Sequence, residues 1–152
     1  MEIVKDPNKI LHQKLEPVIL ITPEIKDFIA EMRKKMVESE GVGLAANQVG
    51  ENLRIFVIDK KLAEENKVPD TFINPEISEY SREKDEMEEG CLSIPEYFVT
   101  VPRSKKIKIK ALDKNSKKIR FKAKGFLARV LQHETDHLNG LLIKDRTELE
   151  KF

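Results

Sequence analysis

The chain has 152 residues, enough for one domain that buries a core without disulfides, and residues 1–152 are predicted to form a single domain. Hydrophobic residues make up 39% and charged residues 36%, a composition that excludes the disordered and fibrous classes of protein. Lysine and arginine number 28 against 27 acidic residues, so no overall field draws the molecule to nucleic acid or to an anionic membrane.

The N-terminus gives no sign of export. Residues 1–7 lack a basic region followed by an apolar stretch, and no window of the sequence approaches roughly eighteen uninterrupted apolar residues. Cys91 is the single cysteine, which excludes an intramolecular disulfide and suits a reducing compartment. We therefore expect a cytoplasmic protein with no membrane span and no membrane partner.

The first predicted element is a helix that begins near Pro23. Thr22 offers a hydroxyl N-cap, Pro23 suits the first helical position, and Glu24 adds an acid in the first turn. Apolar residues then recur at helical spacing, at Ile25, Phe28, Ile29, Met32 and Met36. We expect this face, with its two methionines, to pack into the core.

Four strands are predicted in the middle of the chain. Residues 54–59 indicate a buried strand, and residues 71–73 a short one that ends at Asn74 and Pro75, with a polar surface connection over 60–70. Lys106–Leu112 and 118–123 alternate apolar with basic residues around a hairpin loop. Their lysines lie on one face of the predicted sheet. A solvated surface is a simpler interpretation of this face than a docking patch for RNA, so we predict no sequence-specific nucleic-acid partner.

The last predicted element is a helix over 125–139, with Gly140 suited to its C-cap. It contains the sequence His-Glu-Thr-Asp-His at 133–137. Because residues four apart lie about 40° apart around a helix, His133 and His137 can bind one metal ion. Glu134 lies beside them, where it can reach a water molecule without becoming a ligand. The motif predicts a metal-dependent hydrolase.

A catalytic site of this kind needs a third protein ligand. Downstream carboxylates such as Asp145 and Glu148 would suit a metallopeptidase, and a closed site with four ligands would suit a non-catalytic, metal-stabilised binding module. Cys91 lies in a turn flanked by glycine and proline, and a thiolate is a soft metal ligand. A lone cysteine is ordinarily a small buried hydrophobe, but its occurrence with a two-histidine motif favours Cys91 as the ligand.

The segment 41–48, Gly-Val-Gly-Leu-Ala-Ala-Asn-Gln, matches a relaxed dinucleotide-binding fingerprint. That fingerprint requires a strand before the glycines and a helix after them, whereas here the predicted helix precedes them and a strand follows. We interpret the glycines as positions where the backbone passes close to another group. Gln48 would bring a neutral amide donor to the same place.

Three separated segments together resemble the motifs of the peptide deformylases of bacterial type, type I. They are Gly-Val-Gly-Leu-Ala-Ala-Asn-Gln at 41–48, Glu-Gly-Cys-Leu-Ser at 89–93 and Gln-His-Glu-Thr-Asp-His at 132–137. The likeness extends to their flanks and covers nearly the whole chain. It implies an α+β fold with antiparallel β-sheets packed around a C-terminal helix that carries the H-E-x-x-H motif, plus an N-terminal helix, all within one catalytic domain.

The resemblance also implies an activity. It is hydrolysis of the N-formyl group of the initiator formyl-methionine of nascent polypeptides, with release of formate. The metal implied by the family is a divalent ion held by Cys91, His133 and His137, with Fe²⁺ in the cell and Ni²⁺, Co²⁺ or Zn²⁺ as replacements. The implied partners are the formyl-methionyl nascent peptide and the ribosome near its exit tunnel.

Within this scheme each motif receives a chemical role. Glu134 would act as general acid and base for a water molecule activated by the metal. The side-chain amide of Gln48 and the backbone N–H of Leu92 would stabilise the oxyanion. The sequence ends at Phe152, so we expect the longer C-terminal helix of many family members, and its contacts with the ribosome, to be short or missing.

Overall fold

The computed structural model describes residues 1–149 and has an α+β fold. The end of the sequence at Phe152, on which the expectation of a short C-terminal helix rests, lies outside the described residues. None of the helices within 1–149 combines the length and the apolar character that a membrane crossing demands. In chain order the elements are α1 (Pro23–Glu38), β1 (Gly43–Ala45), β2 (Ile55–Ile58), α2 (Lys60–Asn66), β3 (Thr71–Tyr80), β4 (Lys84–Cys91), β5 (Ile94–Ser104), β6 (Lys106–Leu112), β7 (Lys118–Lys124), α3 (Gly125–Leu138) and α4 (Ile143–Leu149).

The predicted N-terminal helix is confirmed as α1. The Thr22 hydroxyl accepts a hydrogen bond from the backbone N–H of Ile25 at 3.2 Å, which satisfies one of the unpaired donors at the helix start. Met32 and Met36 are fully buried, as their spacing on the apolar face predicted. The helix therefore contributes one side of the core.

Five strands form an antiparallel sheet in the order β1-β2-β3-β6-β7, and β4 and β5 pair separately. Strand β2 is buried on both faces because α1 covers one and α3 the other. Ile55 and Val57 belong to the apolar cluster around α1, whereas Phe56 and Ile58 belong to the cluster around α3. This alternation fixes the register of the strand and places α3 against the sheet.

Strand β3 is longer than the sequence predicted. Asn74 and Pro75 were expected to end it, yet the strand continues to Tyr80. Asn74 adopts a left-handed backbone conformation with φ of 51°, and the pairing with β6 shifts between Ile73 and Glu76. The bulge accommodates the proline, which cannot donate to a regular ladder, and pairing then resumes beyond it.

The polar connection predicted over 60–70 is wrong in part, because α2 occupies its first half. The carboxylate of Asp59 caps this short helix by accepting from the N–H of Leu62 at 3.1 Å. Ala63 is the one buried residue of α2. A helix this short and polar has little apolar periodicity, so its cap was the available signal.

The turn predicted around Cys91 is confirmed, but the two strands that it joins were not predicted. Cys91 is the last residue of β4, and Leu92 and Ser93 connect it to β5. Most side chains of β4 are exposed and charged, so the segment has no alternation of apolar and polar residues. Strand β4 is thus specified by its pairing with β5 rather than by a pattern of its own.

The first residues of the chain hold two of the three motifs together. The backbone N–H of Val4 donates to the carbonyl of Gln48 at 2.7 Å, and that of Asp6 donates to the carbonyl of Ser93 at 3.0 Å. The side chain of Asp6 also bonds the exposed His12, at 2.6 Å, and Lys144. The N-terminal segment therefore connects the loop that carries Gln48 to the turn after Cys91.

Candidate metal centre and active site

Helix α3 places His133 and His137 one turn apart on its buried face. Their ring centroids are 5.0 Å apart, and their Nε2 atoms are separated by 3.2 Å. Both imidazoles turn the same nitrogen toward a common point, as the four-residue spacing predicted. The helix thus supplies two ligands of a single site.

Cys91 completes a group of three metal-ligating side chains. Its Sγ lies 3.4 Å from Nε2 of His137, and the three ligand atoms all lie within 4.8 Å of one another. A tetrahedral metal with ordinary bonds to nitrogen and sulfur would separate two nitrogen ligands by about 3.3 Å and a nitrogen and a sulfur ligand by about 3.6 Å. The two separations that involve His137, 3.2 and 3.4 Å, agree with these values, so the three donor atoms are placed to hold one metal ion.

Glu134 lies against this group and is almost completely buried. Its Oε2 is 4.0 Å from Nε2 of His133, while its Oε1 has no hydrogen-bond partner among the described residues. Burial is the largest cause that raises the pKa of Glu134, to about 7, although His133 and Arg103 oppose it. A buried carboxyl group with an unpaired oxygen beside a metal site is suited to accept and return a proton.

Gly43 explains why the first motif needs glycine. A Cβ atom at this position would lie 2.6 Å from Oε2 of Glu134, closer than any real contact. The sequence predicted that the backbone passes close to another group here, and that group is the Glu134 side chain. Residue 43 therefore has to be glycine for Glu134 to keep its position.

Gln48 is buried and its amide is oriented by two contacts. Its Oε1 accepts from the backbone N–H of Ala45 at 3.0 Å, which directs Nε2 toward the Cys91 side. Nε2 then donates to Ser93 Oγ at 3.2 Å and lies 3.6 Å from Cys91 Sγ. An amide donor is thus fixed next to the metal ligands, where the sequence predicted one.

These groups line a cavity of about 570 Å³ that opens beside α3. Leu92, which follows Cys91 in the turn, lines it together with Gln48, His133 and Glu134. Four apolar side chains near the motifs also line the cavity: Val42, Met87, Phe126 and Val130. Phe98 was not predicted: it lines the same cavity and is 65% exposed, so its ring offers apolar surface to a ligand.

Glu89 orients His133 and was missed at the sequence level. Its Oε1 accepts from Nδ1 of His133 at 2.8 Å, which leaves Nε2 of that ring for the metal. Arg103 donates to both carboxylate oxygens of Glu89, at 2.8 and 2.9 Å, and Arg129 donates at 2.5 Å. Although burial opposes the shift, the bonds from His133 and Arg103 hold the pKa of Glu89 well below its usual value. The carboxylate therefore stays charged at neutral pH.

Asp136 extends the same network on the far side of Arg103. It accepts from Arg103 at 2.7 Å and from Arg146 at 2.8 and 2.5 Å. Asp136 is buried and forms ion pairs with both arginines. The sequence offered Asp145 and Glu148 as alternative metal ligands. The Asp145 carboxylate accepts a hydrogen bond from the backbone N–H of Leu142 at the start of α4, and among the described residues it does not belong to the three-ligand group. The Glu148 side chain lies outside the described residues.

The comparisons with known proteins identify the family of the chain. The family model for polypeptide deformylase matches residues 1–152. The chain is 49% identical to the peptide deformylase of Dictyoglomus turgidum over 146 residues, which are 96% of this chain and 92% of that protein. It is 42% identical to that of Mesorhizobium japonicum over 91% of this chain and 79% of that protein.

Solved structures give the same result for the fold. The crystal structure of peptide deformylase from Thermotoga maritima superposes with a TM-score of 0.88 at 42% identity and covers 95% of each chain. A peptide deformylase from Synechococcus elongatus in complex with actinonin superposes with a TM-score of 0.89 at 37% identity, over 96% of this chain and 79% of that one. On these matches, made along almost its full length, the chain belongs to the polypeptide deformylase family.

Proposed function

We propose that this protein is a metal-dependent hydrolase that removes the N-formyl group from the formyl-methionine of nascent polypeptides and releases formate. The observation that carries the proposal is the group formed by Cys91, His133 and His137, with Glu134 buried beside it in an apolar cavity. Three ligands leave a coordination position for a reacting molecule, which a closed structural site does not.

The proposed ligands of the divalent metal are Cys91, His133 and His137. When bound, the metal would supply Lewis acidity that polarises a carbonyl group and lowers the pKa of water. Although burial opposes it, contacts with Cys91 and Glu89 raise the pKa of His133 to about 10, and burial, with His133, lowers that of His137 well below its usual value. His133 therefore carries one proton more than a neutral imidazole, and metal binding at its Nε2 would release that proton. We propose Fe²⁺ as the ion in the cell, with Ni²⁺, Co²⁺ or Zn²⁺ as replacements.

The protein side chains perform the proton transfers. A carboxylate oxygen of Glu134 takes a proton from the attacking water, whose oxygen forms a bond to the formyl carbon. Glu134 then gives that proton to the amine nitrogen as the carbon–nitrogen bond breaks, so formate and a free amino terminus result. Its high pKa suits both steps, since the group can exist in either protonation state near neutral pH.

Gln48 and Leu92 are proposed to stabilise the oxyanion that forms between these steps. The Nε2 of Gln48 is a neutral donor whose orientation is fixed by Ala45, so it needs no rearrangement during the reaction. The backbone N–H of Leu92 is the second proposed donor. The methionine side chain would pack on the apolar wall formed by Val42, Met87, Phe126 and Val130.

We further propose that the protein acts in the cytoplasm, near the exit tunnel of the ribosome, because its substrate is the start of a nascent chain. A single cysteine that serves as a metal ligand suits a reducing compartment. Acetylated chains are expected to be hydrolysed, with release of acetate, too slowly to matter, because a tight site excludes the additional methyl group.

The test is formate release from a formyl-Met-Ala-Ser peptide by protein purified without oxygen. Glu134→Gln keeps the size of the side chain and removes the base, so we expect a loss of about 10² to 10⁴ in rate with the metal content unchanged. The acetyl-Met peptide serves as the substrate control. Wild-type protein that holds one metal ion per chain and releases no formate would refute the proposal.

A further inference from the structure

Positive charge is concentrated in one short segment of this nearly neutral chain. Residues 105–124 contain nine lysines, one arginine and one acidic residue, Asp113, so the segment carries nine positive charges in excess. Because the net charge of the whole chain is +1, the remaining residues carry eight negative charges in excess. The segment is the β6–β7 hairpin together with Lys105.

The hairpin register sets these charges directly opposite each other. Lys106 pairs with Lys124, Lys108 with Lys122, and Lys110 with Arg120. Alternate residues of a strand project to the same side of a sheet, and so do residues that pair directly across two strands. These six side chains and that of Lys118 therefore lie on one side of the sheet, which we name the basic face. Like charges that lie directly opposite each other on neighbouring strands destabilise a sheet. The stability of the fold therefore does not explain why three such pairs are present.

Protection of the sheet edge against pairing with a second molecule explains the cations of β7 but not those of β6. Lysines on an edge strand prevent pairing with a second molecule, and β7 is the edge strand. Strand β6, however, lies between β3 and β7 and has no free edge. Its lysines at 106, 108 and 110 therefore need another explanation.

The neighbouring elements leave most of the basic face uncompensated. Glu76 and Glu79 of β3 pair with Lys110 and Lys108, and Glu76 reaches Lys110 at 3.5 Å. Among the side chains that the structure describes, no carboxylate lies within 4.0 Å of the ammonium groups of Lys106, Lys122 and Lys124. Helix α1 packs on this side of the sheet over β1 and β2 and leaves β6 and β7 open. The surface is also apart from the catalytic cavity, which neither strand lines.

The chemistry of the face selects a polyanion with regularly spaced charges. Alternate residues of a strand lie about 6.8 Å apart and neighbouring strands about 4.8 Å apart, so the backbone positions that carry the cations are regularly spaced. Phe121 of β7 packs toward the core. Tyr80 of β3 is exposed and lies beside Lys106 and Lys124, but it pairs with the core residue Ile107, so its ring belongs to the opposite side of the sheet from the lysine rows. The basic face also lacks an exposed apolar side chain that could enter a lipid surface.

We propose that the basic face binds the phosphate backbone of double-stranded RNA without reading its sequence. A-form RNA has a wide, shallow minor groove bordered by phosphates, against which a flat sheet can lie. The major groove of B-DNA admits an α-helix or a two-stranded β-ribbon. The face has no protruding helix, and β6 is paired with β3 as well as with β7, so the hairpin is not a free two-stranded ribbon. The sequence alone favoured a solvated surface, and the lysine pairs on the interior strand change that interpretation.

The test measures the anisotropy of a fluorescein-labelled RNA hairpin of about 20 base pairs at 50–200 mM salt. Wild-type protein should bind with a dissociation constant on the order of 1–100 μM that weakens with salt. A triple variant, Lys106→Gln, Lys122→Gln and Lys124→Gln, should lower the slope of log K against log salt by about 2 to 3. The matched control carries the same charge change at exposed positions elsewhere: Lys26→Gln, Lys34→Gln and Lys61→Gln.

The control should retain the wild-type slope, and both variants should keep the thermal midpoint and the rate of formate release. Equal weakening by the two variants would assign binding to overall charge and overturn the proposal. Tighter binding to a B-DNA duplex of the same sequence, or to phosphatidylserine vesicles, would overturn it as well. The proposal does not depend on the catalytic activity, so failure of one leaves the other standing.

Discussion

Replacement of Gly43 by alanine should disable the general base without removing the metal. The new Cβ would lie 2.6 Å from Oε2, 2.8 Å from Cδ and 2.9 Å from Cγ of Glu134. To restore an ordinary contact distance of 3.4 Å, the carboxylate must move by roughly 0.8 Å. Glu134 is only 3% exposed, so it has little room to move without displacing its neighbours.

A displacement near 1 Å at a reacting group costs about 10²-fold in rate, which corresponds to about 2.7 kcal/mol in the activation free energy. The assay is kcat for formate release from a formyl-methionyl peptide, with metal content measured on the same sample. Because Glu134 is not a proposed ligand, Gly43→Ala should retain one metal ion per chain.

Gly41→Ala is the matched control. A Cβ there would meet Cδ1 of Leu92 at 3.0 Å, the end of a flexible side chain, and Gly41 does not have a positive φ. We expect its kcat to stay within about twofold of wild type. A Gly43→Ala variant that keeps full metal and a wild-type kcat would show that the position of Glu134 does not limit the reaction.

Four further results are expected. Cys91→Ala should lose stoichiometric metal and formate release, measured by elemental analysis and assay; full retention of both would favour a carboxylate ligand. Arg103→Met should lower the free energy of unfolding in urea by about 3 to 5 kcal/mol, because Glu89 and Asp136 would remain buried without their partner. The pKa of Glu89 is lower in the folded state than in the unfolded state, so its contribution to the free energy of unfolding should be complete at neutral pH and should be lost as the pH falls below about 4.3. Urea midpoints measured from pH 7 to pH 3 would detect this loss. A midpoint independent of pH would contradict it. Glu88 and Glu96 lie on the exposed rim of the cavity and should attract a positively charged substrate. At low salt, kcat/KM should therefore be higher for a formyl-Met-Lys peptide than for a formyl-Met-Glu peptide, and equal values would exclude an electrostatic role for these two residues.

Periodic patterns predicted the elements whose own residues specify them. Helix α1, the β6–β7 hairpin and helix α3 each alternate apolar and polar residues at the period of their structure, and all three are confirmed. Strand β4 has no such pattern because its side chains are mostly exposed, and it depends on β5. Strand β3 continues past a dipeptide typical of turns because pairing with β6 outweighs that local preference.

The candidate site divides in the same way. His133, Glu134 and His137 lie on one helix turn, so their spacing alone predicts that they meet. The assignment of Cys91 as the third ligand required that its turn be considered together with the distant two-histidine motif. The contacts of Glu89 with Arg103 and His133 link residues 14 and 44 positions apart. No local pattern encodes them, because only the packing of α3 against β4 and β5 brings these side chains together.

The connection from the N-terminal segment to Gln48 and Ser93 has a consequence for the order of assembly during synthesis. Val4 and Asp6 are synthesised before their acceptors, which follow tens of residues later, and Cys91 precedes His137 by 46 residues. Contacts this distant in sequence form only after most of the chain is available. A growing chain therefore has no complete ligand set until α3 has emerged and packed, and loading of the metal is one of the last events of folding.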